Sequence, residues 1–182
     1  MIGLLKRPRQ REMKPLETSR LQLVTMTAAL LGAEAHDTWQ LAEALRAKLT
    51  VDWPPVHWEA PVRAHIVAQL TAQPETVGWH RYMLLLGEGP KPLLVGCLGA
   101  FPCAAGDVEL GYSVVDSYQR RGLATEAAQG LIGWLFGQAA VHSVSAQAYE
   151  TSPASVKVME RCGMRFVGAG DSEGTVRYRR WR

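Results

Sequence analysis

The feature that most constrains the fold is the stretch from Val108 to Glu126, where an apolar run gives way to a short polar turn and then to a glycine. The run 108–115 predicts a β-strand, and apolar residues spaced four apart after Gly122 predict a helix. A helix start leaves about four backbone N–H groups unpaired and carries roughly half a positive charge. Gly122 has no Cβ to keep a ligand from these groups, and Arg120 and Arg121 add charge beside them. The stretch therefore predicts a cradle for an anion such as a pyrophosphate.

The segments around this stretch predict a mixed sheet. Strands are predicted at 16–25, 79–87, 93–101, 108–115, 142–149, 164–167 and 175–182. Helices are predicted at 27–36, 61–72, 122–140 and 153–162, and over 37–49 before the Pro54-Pro55 pair. Hairpin turns make most of the sheet antiparallel, whereas the helix between 108–115 and 142–149 predicts a parallel pair with a right-handed crossover. The predicted fold class is α+β, a twisted, mostly antiparallel sheet with helices on both faces.

Composition limits the classes of protein to which this fold can belong. With 47% hydrophobic and 20% charged residues among 182, the chain is too apolar for a disordered protein and predicts one domain. The longest uncharged stretch, 127–149, is broken by Gln, His and Ser, so we expect no membrane span. Cys97, Cys103 and Cys162 are an odd number without metal-type spacing, which argues against disulfides and a zinc site. Without a recognisable signal peptide, we expect a cytoplasmic protein that binds no metal.

The net charge of +3 is unevenly distributed along the chain. Residues 1–20 carry six Lys or Arg against two Glu, residues 161–182 carry six Arg against two acids, and the residues between them carry 8 basic and 13 acidic side chains. We predict a flexible basic tail at 1–15 and a single domain at 16–182. A basic end could bind nucleic acid, but a solvated tail is favoured because the tail has no interleaved aromatic residues. The sequence leaves open whether the chain forms a homodimer.

Two motifs in order resemble one known family. Gln119-x-x-Gly122-x-Ala124 resembles the acetyl-CoA-binding signature of the GNAT superfamily of N-acetyltransferases, and the segment 151–164 resembles the family's second fingerprint. The opening at 18–23, together with Leu123-Ala-Thr-Glu126, is similar to the ribosomal-protein-alanine acetyltransferase-like branch. The resemblance covers about 16–182. Because the two motifs occur together, we favour it over a plain strand–helix junction with a solvated arginine pair.

The resemblance implies a reaction and a set of binding residues. Acetyl-CoA and an amine would bind together, and the amine would attack the thioester directly. The strand before the cradle would splay from its neighbour and expose backbone N–H groups of 113–115 to the cofactor arm, with an amide near Val115 steadying the developing oxyanion. The residues implied in cofactor binding are Ser113, Val114, Val115, Arg120, Arg121, Gly122, Leu123, Ala124, Thr125 and, at the position of the family's asparagine, Ser152.

The residues that would move protons are less clearly marked by the resemblance. Glu109 lies where several family members place a catalytic base, although a salt-bridged surface glutamate has the same pattern. Ser155 keeps the family's hydroxyl, which could point at the cofactor or bond to its own helix. Met159 stands where the family places a tyrosine acid and cannot give a proton, so water could protonate the leaving thiolate. We expect a structural role for Glu126, one turn into the helix.

Three functions follow from these patterns. The leading one is an enzyme that transfers acetyl from acetyl-CoA to a primary amine of a small molecule or a peptide. The others are a non-catalytic acyl-CoA-binding or sensing module, and nucleic-acid binding through the basic ends. His57 and His65 flank Trp58 and could line an acceptor pocket, or they could belong to a packed loop.

Overall fold

The computed structural model describes residues 13–182, apart from the side chain of Ala105. The strands are β1 Leu16–Glu17, β2 Leu21–Thr25, β3 Lys48–Leu49, β4 Arg81–Leu85, β5 Leu93–Pro102, β6 Asp107–Val114, β7 Ser143–Tyr149, β8 Arg165–Ala169 and β9 Thr175–Trp181. The helices are α1 Ala28–His36, α2 Thr38–Leu45, α3 Ala60–Ala72, α4 Leu123–Phe136 and α5 Pro153–Arg161. Of the tail predicted at 1–15, residues 1–12 lie outside the described part of the chain.

All nine strands join one sheet in the order β1-β2-β4-β5-β6-β7-β9-β8, with β3 paired to β5. The neighbours along this order are antiparallel except for β6 and β7, which are parallel and are connected through α4. A parallel pair needs such a crossover because its strands run in the same direction. The predicted mixed, mostly antiparallel sheet is therefore confirmed.

Each face of the sheet carries its own apolar core. Side chains alternate along a strand, so Tyr82 and Leu84 join one core while Met83 and Leu85 join the other. The helices α1, α2 and α3 cover the first face, and α4 and α5 cover the second. The buried positions of α4 follow the predicted spacing of four: Leu123, Ala127, Leu131 and Leu135. Helices on both faces are confirmed, and no helix in residues 13–182 is long and apolar enough to cross a membrane.

The first two helices begin as the sequence predicts, but the second ends earlier. Thr27 caps α1 by accepting a hydrogen bond from the Leu30 amide, and Asp37 caps α2 by accepting one from the Trp39 amide. The prediction that the second helix runs to Leu49 is wrong. Arg46 adopts a left-handed conformation with φ of 51° and ends the helix, and the chain then forms β3. Backbone pairing with β5 outweighs the helical spacing of the apolar side chains here.

The parallel pair of β6 and β7 separates along its length. The two strands pair only over Asp107–Glu109 and Ser143–Ser145. Beyond that point β6 continues to Val114 along β5, and β7 continues along β9. The splay that the family resemblance implies is thus present, and it leaves one edge of β6 facing an opening in the sheet.

Candidate active site

A cleft of about 690 Å³ lies at the open end of this splay. Its walls are the end of β6, the start of α4, the start of α5, and the residues Val56 and His57 before α3. Its lining residues are Val56, His57, Tyr112–Val114, Tyr118–Arg120, Gly122–Thr125, Ser152–Ser155, Lys157, Val158 and Arg161. Among the side chains of this lining, Arg120, Lys157 and Arg161 are cationic, and none is a carboxylate. The cleft therefore favours an anionic ligand over a cationic one.

The N-terminus of α4 supplies the anion-binding groups of this cleft. Gly122 is the N-cap residue, and no side chain caps this end of the helix with a hydrogen bond. The first helical bond runs from the Glu126 amide to the Gly122 carbonyl at 3.0 Å. The amides of Leu123, Ala124 and Thr125 therefore precede the hydrogen-bond ladder of the helix and are free to bind a ligand. All three residues line the cleft.

The turn before α4 is held in shape by its own hydrogen bonds. Gln119 donates through Nε2 to the Val114 carbonyl at 3.0 Å and to the Asp116 carboxylate at 2.8 Å. Arg120 and Gly122 both adopt left-handed conformations, with φ of 59° and 78°. Only glycine takes this conformation at little energetic cost, and here it also leaves the helix amides uncovered. The glutamine of the signature thus shapes the cradle, and the glycine opens it.

The two arginines of the signature point to different places. Arg120 lines the cleft. The guanidinium of Arg121 instead lies 4.4 Å from the centre of the Tyr118 ring and 3.7 Å from the Glu88 carboxylate, outside the lining. The side chain of Arg121 therefore packs beside the cleft rather than into it.

Arg20 is a residue of this region that the sequence did not identify. Its guanidinium donates to the Arg121 carbonyl at 3.0 Å and to the Glu126 carboxylate at 2.7 Å, and a Cβ on Gly122 would lie 3.6 Å from it. Glu126 also accepts from the Thr18 hydroxyl at 2.6 Å. Burial alone would raise the pKa of Glu126, but these hydrogen bonds and the Arg20 charge outweigh it and lower the pKa. Glu126 thus has the predicted structural role of joining β1–β2 to the cradle.

We predict that Glu126→Gln lowers the free energy of unfolding by about 1–3 kcal/mol at pH 7, because it removes charge-assisted hydrogen bonds. A folded-state pKa below the unfolded one stabilises the fold above the unfolded pKa, and this contribution is lost as pH falls through the folded pKa. Denaturant melts at pH 7 and pH 3 should therefore show a smaller difference between variant and wild type at pH 3. Exposed Glu160→Gln is the control, and an equal loss at both pH values would contradict the charge-based role.

The edge of β6 presents backbone amides to the cleft, but not the one that the sequence indicates. Val115 is fully buried, and its amide donates to the Val95 carbonyl at 2.9 Å, so it is not free for a ligand. In an antiparallel ladder, alternate residues turn their N–H groups toward the neighbouring strand. The amides of Val115 and, two residues earlier, Ser113 therefore face β5, and those of Tyr112 and Val114 face the opening. The role expected of Val115 therefore passes to Val114 in our proposal.

The start of α5 forms the opposite wall. The Ser152 hydroxyl donates to the Ser155 hydroxyl at 3.2 Å, and both side chains line the cleft. Tyr112 reaches across from β6 and donates to the Ser155 carbonyl at 3.0 Å. Burial raises the pKa of Tyr112, which makes its hydroxyl a poorer acid. Met159 is buried in the core, so this wall offers serine hydroxyls where the family places a tyrosine.

The segment 52–58 forms a third wall and is fixed at three points. The Asp52 carboxylate accepts from the Ser117 amide at 2.8 Å and from its hydroxyl at 3.0 Å. The Val56 carbonyl accepts from the Ser113 hydroxyl at 2.7 Å. The Trp58 indole donates to the buried Glu34 carboxylate at 2.7 Å. These contacts place Val56 and His57 on the cleft wall, and a role of His57 in binding an acceptor stays a hypothesis.

Two of the histidine and glutamate candidates lie away from the cleft lining. His65 packs against Phe101, with 5.1 Å between the ring centres. Glu109 lies opposite Phe101 in the β5–β6 pairing, on the face covered by α1–α3. Its carboxylate accepts from Gln147 at 2.7 Å and lies 3.7 Å from the Arg177 guanidinium. Glu109 therefore bonds across the splay rather than into the cleft.

Known proteins are similar to this chain in both sequence and fold. The family described as "Acetyltransferase (GNAT) domain" matches residues 20–165. The chain belongs to the GNAT acetyltransferase family. Because this family transfers acetyl groups from acetyl-CoA, the chain is an acetyl-CoA-dependent acetyltransferase and acts on an amine, which favours the enzyme over a non-catalytic module. The residues described contain no group of three or more His, Cys, Asp or Glu side chains that could hold a metal ion.

Individual relatives agree with this assignment. The chain is 27% identical over 150 residues to the "Uncharacterized N-acetyltransferase YjdG" of Bacillus subtilis, which covers 81% of this chain and 88% of that protein. A putative GNAT-family acetyltransferase from Bordetella pertussis has a similar structure, with a TM-score of 0.64, 21% identity and coverage of 92% and 99%. RimL, a ribosomal L7/L12 alpha-N-protein acetyltransferase solved with coenzyme A, has a TM-score of 0.60, 17% identity and coverage of 92% and 96%.

Proposed function

We propose that this enzyme transfers the acetyl group of acetyl-CoA to a primary amine of a small molecule or a peptide, by direct attack while both substrates are bound. The observation that carries the proposal is one continuous cleft with free helix amides at one end and a free strand edge at the other. The first end suits phosphates, and the second suits an amide-rich pantetheine arm that ends in a thioester.

The phosphate end is formed by backbone amides and flanking cations. The amides of 120–125 would hold the pyrophosphate, with the α4 N-terminus adding partial positive charge. Arg120, Lys157 and Arg161 line the same cleft and would neutralise the remaining phosphate charge. Each charge-assisted hydrogen bond to a phosphate contributes more than a neutral one, so a few of these contacts would hold the phosphates tightly.

The reacting end is formed by the edge of β6 and the start of α5. The Val114 amide would donate to the thioester carbonyl and stabilise the negative charge that develops on this oxygen when the amine attacks. As the new C–N bond forms and the C–S bond breaks, the sulfur leaves as a thiolate. Ser152 and Ser155 present hydroxyls on this wall and would hydrogen-bond the thiolate, and water would complete its protonation, since a free thiol has a pKa of about 8.5.

In this proposal Glu109 helps to attract the amine acceptor. Its carboxylate lies on the α1–α3 face of β6, the same face as Ser113, and would attract a cationic amine toward the splay. As the base candidate of the sequence, it would reach the amine only through bound water. On an extended strand, five residues separate Glu109 from Val114 by about 16 Å.

We predict that acetyl-CoA raises the melting temperature of this protein. At a concentration of about 100 times Kd, a ligand that binds only the folded state stabilises it by about 2.7 kcal/mol. For a chain of this size that corresponds to roughly 5–10 °C. A melting scan with millimolar acetyl-CoA measures the shift, and desulfo-CoA should give a similar one because it keeps the phosphates. No shift, together with no heat of binding in calorimetry, would overturn the proposal.

The transfer itself is tested by thiol release. Wild-type protein with acetyl-CoA and a panel of primary amines, from polyamines to peptides with free N-termini, should release CoA thiol in proportion to acetylated amine. Initial rates with both substrates varied should give intersecting double-reciprocal lines, as direct attack in a ternary complex requires. Parallel lines would instead indicate an acetylated enzyme and would overturn the direct mechanism.

A further inference from the structure

The cleft lining contains one side chain of the type that most often serves as a general base. Its other titratable groups are the tyrosines Tyr112 and Tyr118 and the cations Arg120, Lys157 and Arg161. Tyrosine, lysine and arginine side chains in general hold their protons more tightly than an imidazole does. A carboxylate is absent from the described lining. The remaining group is the exposed imidazole of His57.

The other histidines have different surroundings. His80 is buried and bonds to Gln69 at 3.0 Å, and burial together with the nearby His65 lowers the pKa of His80 to about 3. His36 bonds to Gln40 at 2.9 Å, and His65 packs on Phe101. His142 directly precedes β7, and its amide donates to the Gly106 carbonyl at 2.8 Å. His57 is the histidine that the described cleft lining contains, and it is the one on the wall that faces the end of β6.

The backbone around His57 is held in an uncommon conformation. His57 has φ of 67°, in the left-handed region that residues other than glycine adopt infrequently, with asparagine, aspartate and histidine the most frequent exceptions. The bonds from Ser113 to Val56 and from Trp58 to Glu34 fix the residues on both sides. A strained residue persists where its surroundings over-determine it, and such residues cluster at functional sites. Here the strained segment presents His57 to the cleft that Ser113 and Val114 also line.

We propose that His57 is the general base of the acetyl transfer. This inference rests on the proposed function and adds the group that removes the proton of the amine. His57 would take one proton from the amine nitrogen as the C–N bond forms and the C–S bond breaks. The imidazolium would then return that proton to the thiolate or to solvent, so that the enzyme ends the cycle unchanged. Glu34 is a positioning residue in this scheme because it holds Trp58, next to His57.

Glu109 is less suited to this step. Its carboxylate accepts a hydrogen bond from Gln147 and lies near Arg177, and the residue is absent from the described cleft lining. Its distance of about 16 Å from Val114 along the strand excludes direct contact with an amine at the thioester. His57 lies on the cleft lining together with Val114, and the bond from Ser113 to Val56 at 2.7 Å ties the preceding residue to β6.

The variants His57→Asn and His65→Asn test the assignment. Asparagine tolerates the left-handed conformation and cannot act as a base, so His57→Asn should melt like wild type and keep its acetyl-CoA affinity. It should lose about 10²–10⁴-fold in kcat, the usual range for a lost general base. His65→Asn is the matched control, an exposed histidine away from the cleft, and should keep the wild-type rate.

The pH dependence gives a second readout. The wild-type kcat should rise with pH as the catalytic base loses its proton, and this limb should be absent in His57→Asn. Free imidazole in the buffer should restore part of the variant's rate. The charged groups near His57 in the chain are Asp52, whose carboxylate bonds to Ser117, and Glu59.

Three results distinguish the role of His57, the role of Glu109 and the proposed function. A His57→Asn enzyme with the wild-type rate and pH limb would overturn the role of His57 while the proposed function stands. The same outcome with a 10²-fold or larger loss in Glu109→Gln would assign the base to Glu109 instead. A wild-type protein that neither binds acetyl-CoA nor releases thiol would overturn the proposed function itself.

Discussion

Gly122→Asp is expected to abolish acetyl-CoA binding while the protein still folds. The substitution places a carboxylate at the N-cap of α4, where the free amides of Leu123, Ala124 and Thr125 face the cleft. Like charges in the same site repel, and the added side chain covers amides that only a glycine leaves open. We expect Kd to rise at least 100-fold, about 2.7 kcal/mol, and the acetyl-CoA-dependent rise in melting temperature to disappear.

The local structure allows this substitution to be separated from unfolding. The φ of 78° at Gly122 strains most side chains, but aspartate and asparagine adopt this region more readily than others. A Cβ at this position meets only Arg20, at 3.6 Å, which is ordinary contact. Gly122→Asn has the same size and backbone tolerance without the charge, so it should bind acetyl-CoA more weakly than wild type but more tightly than Gly122→Asp. Equal affinity for both variants would contradict a charge-based cradle.

The parts of the site that lie close in sequence could be predicted well. The turn and helix at 119–126 depend on local signals: a glycine, a spacing of four in the apolar residues and a pair of arginines. These signals act within one or two turns of helix, so the start of α4 and its free amides follow from the sequence, whereas the helix ends at Phe136 and not at the predicted residue 140. The α5 wall is a similar case, since Ser152-Pro153 marks its first turn.

The parts of the site that depend on pairing between residues distant in sequence could not be predicted. Which amides of β6 face the opening is decided by its register with β5, and a shift of one residue exchanges Val114 for Val115. Arg20 reaches the cradle from 101 positions away, through its bond to the Arg121 carbonyl. The segment 52–58 forms a wall because Ser113 and Ser117 bind it, and nothing within the segment itself indicates these partners. The single-domain, homodimer and cytoplasmic expectations stay predictions.

Glu34→Ala is expected to cause the largest loss of stability among the variants considered, because two buried donors depend on this carboxylate. Glu34 is 6% exposed and accepts hydrogen bonds from the Trp58 indole and the Tyr82 hydroxyl, both at 2.7 Å. A buried donor left without a partner costs about 1–3 kcal/mol. Two such donors lower the free energy of unfolding by roughly 2–6 kcal/mol, and the melting temperature should fall by roughly 5–20 °C.

The same substitution connects stability to catalysis through the segment 52–58. Once Trp58 loses its acceptor, His57 is no longer fixed on both sides, and kcat should fall by about tenfold or more even at temperatures where Glu34→Ala is fully folded. Acetyl-CoA affinity should change little, since the phosphate end of the cleft does not touch Glu34. Glu43→Ala, an exposed glutamate on α2, is the control and should stay within about 0.5 kcal/mol of wild type. Wild-type kcat in folded Glu34→Ala would show that the bond to Trp58 supports the fold alone, and the positioning of His57 would then rest on Ser113 and Val56.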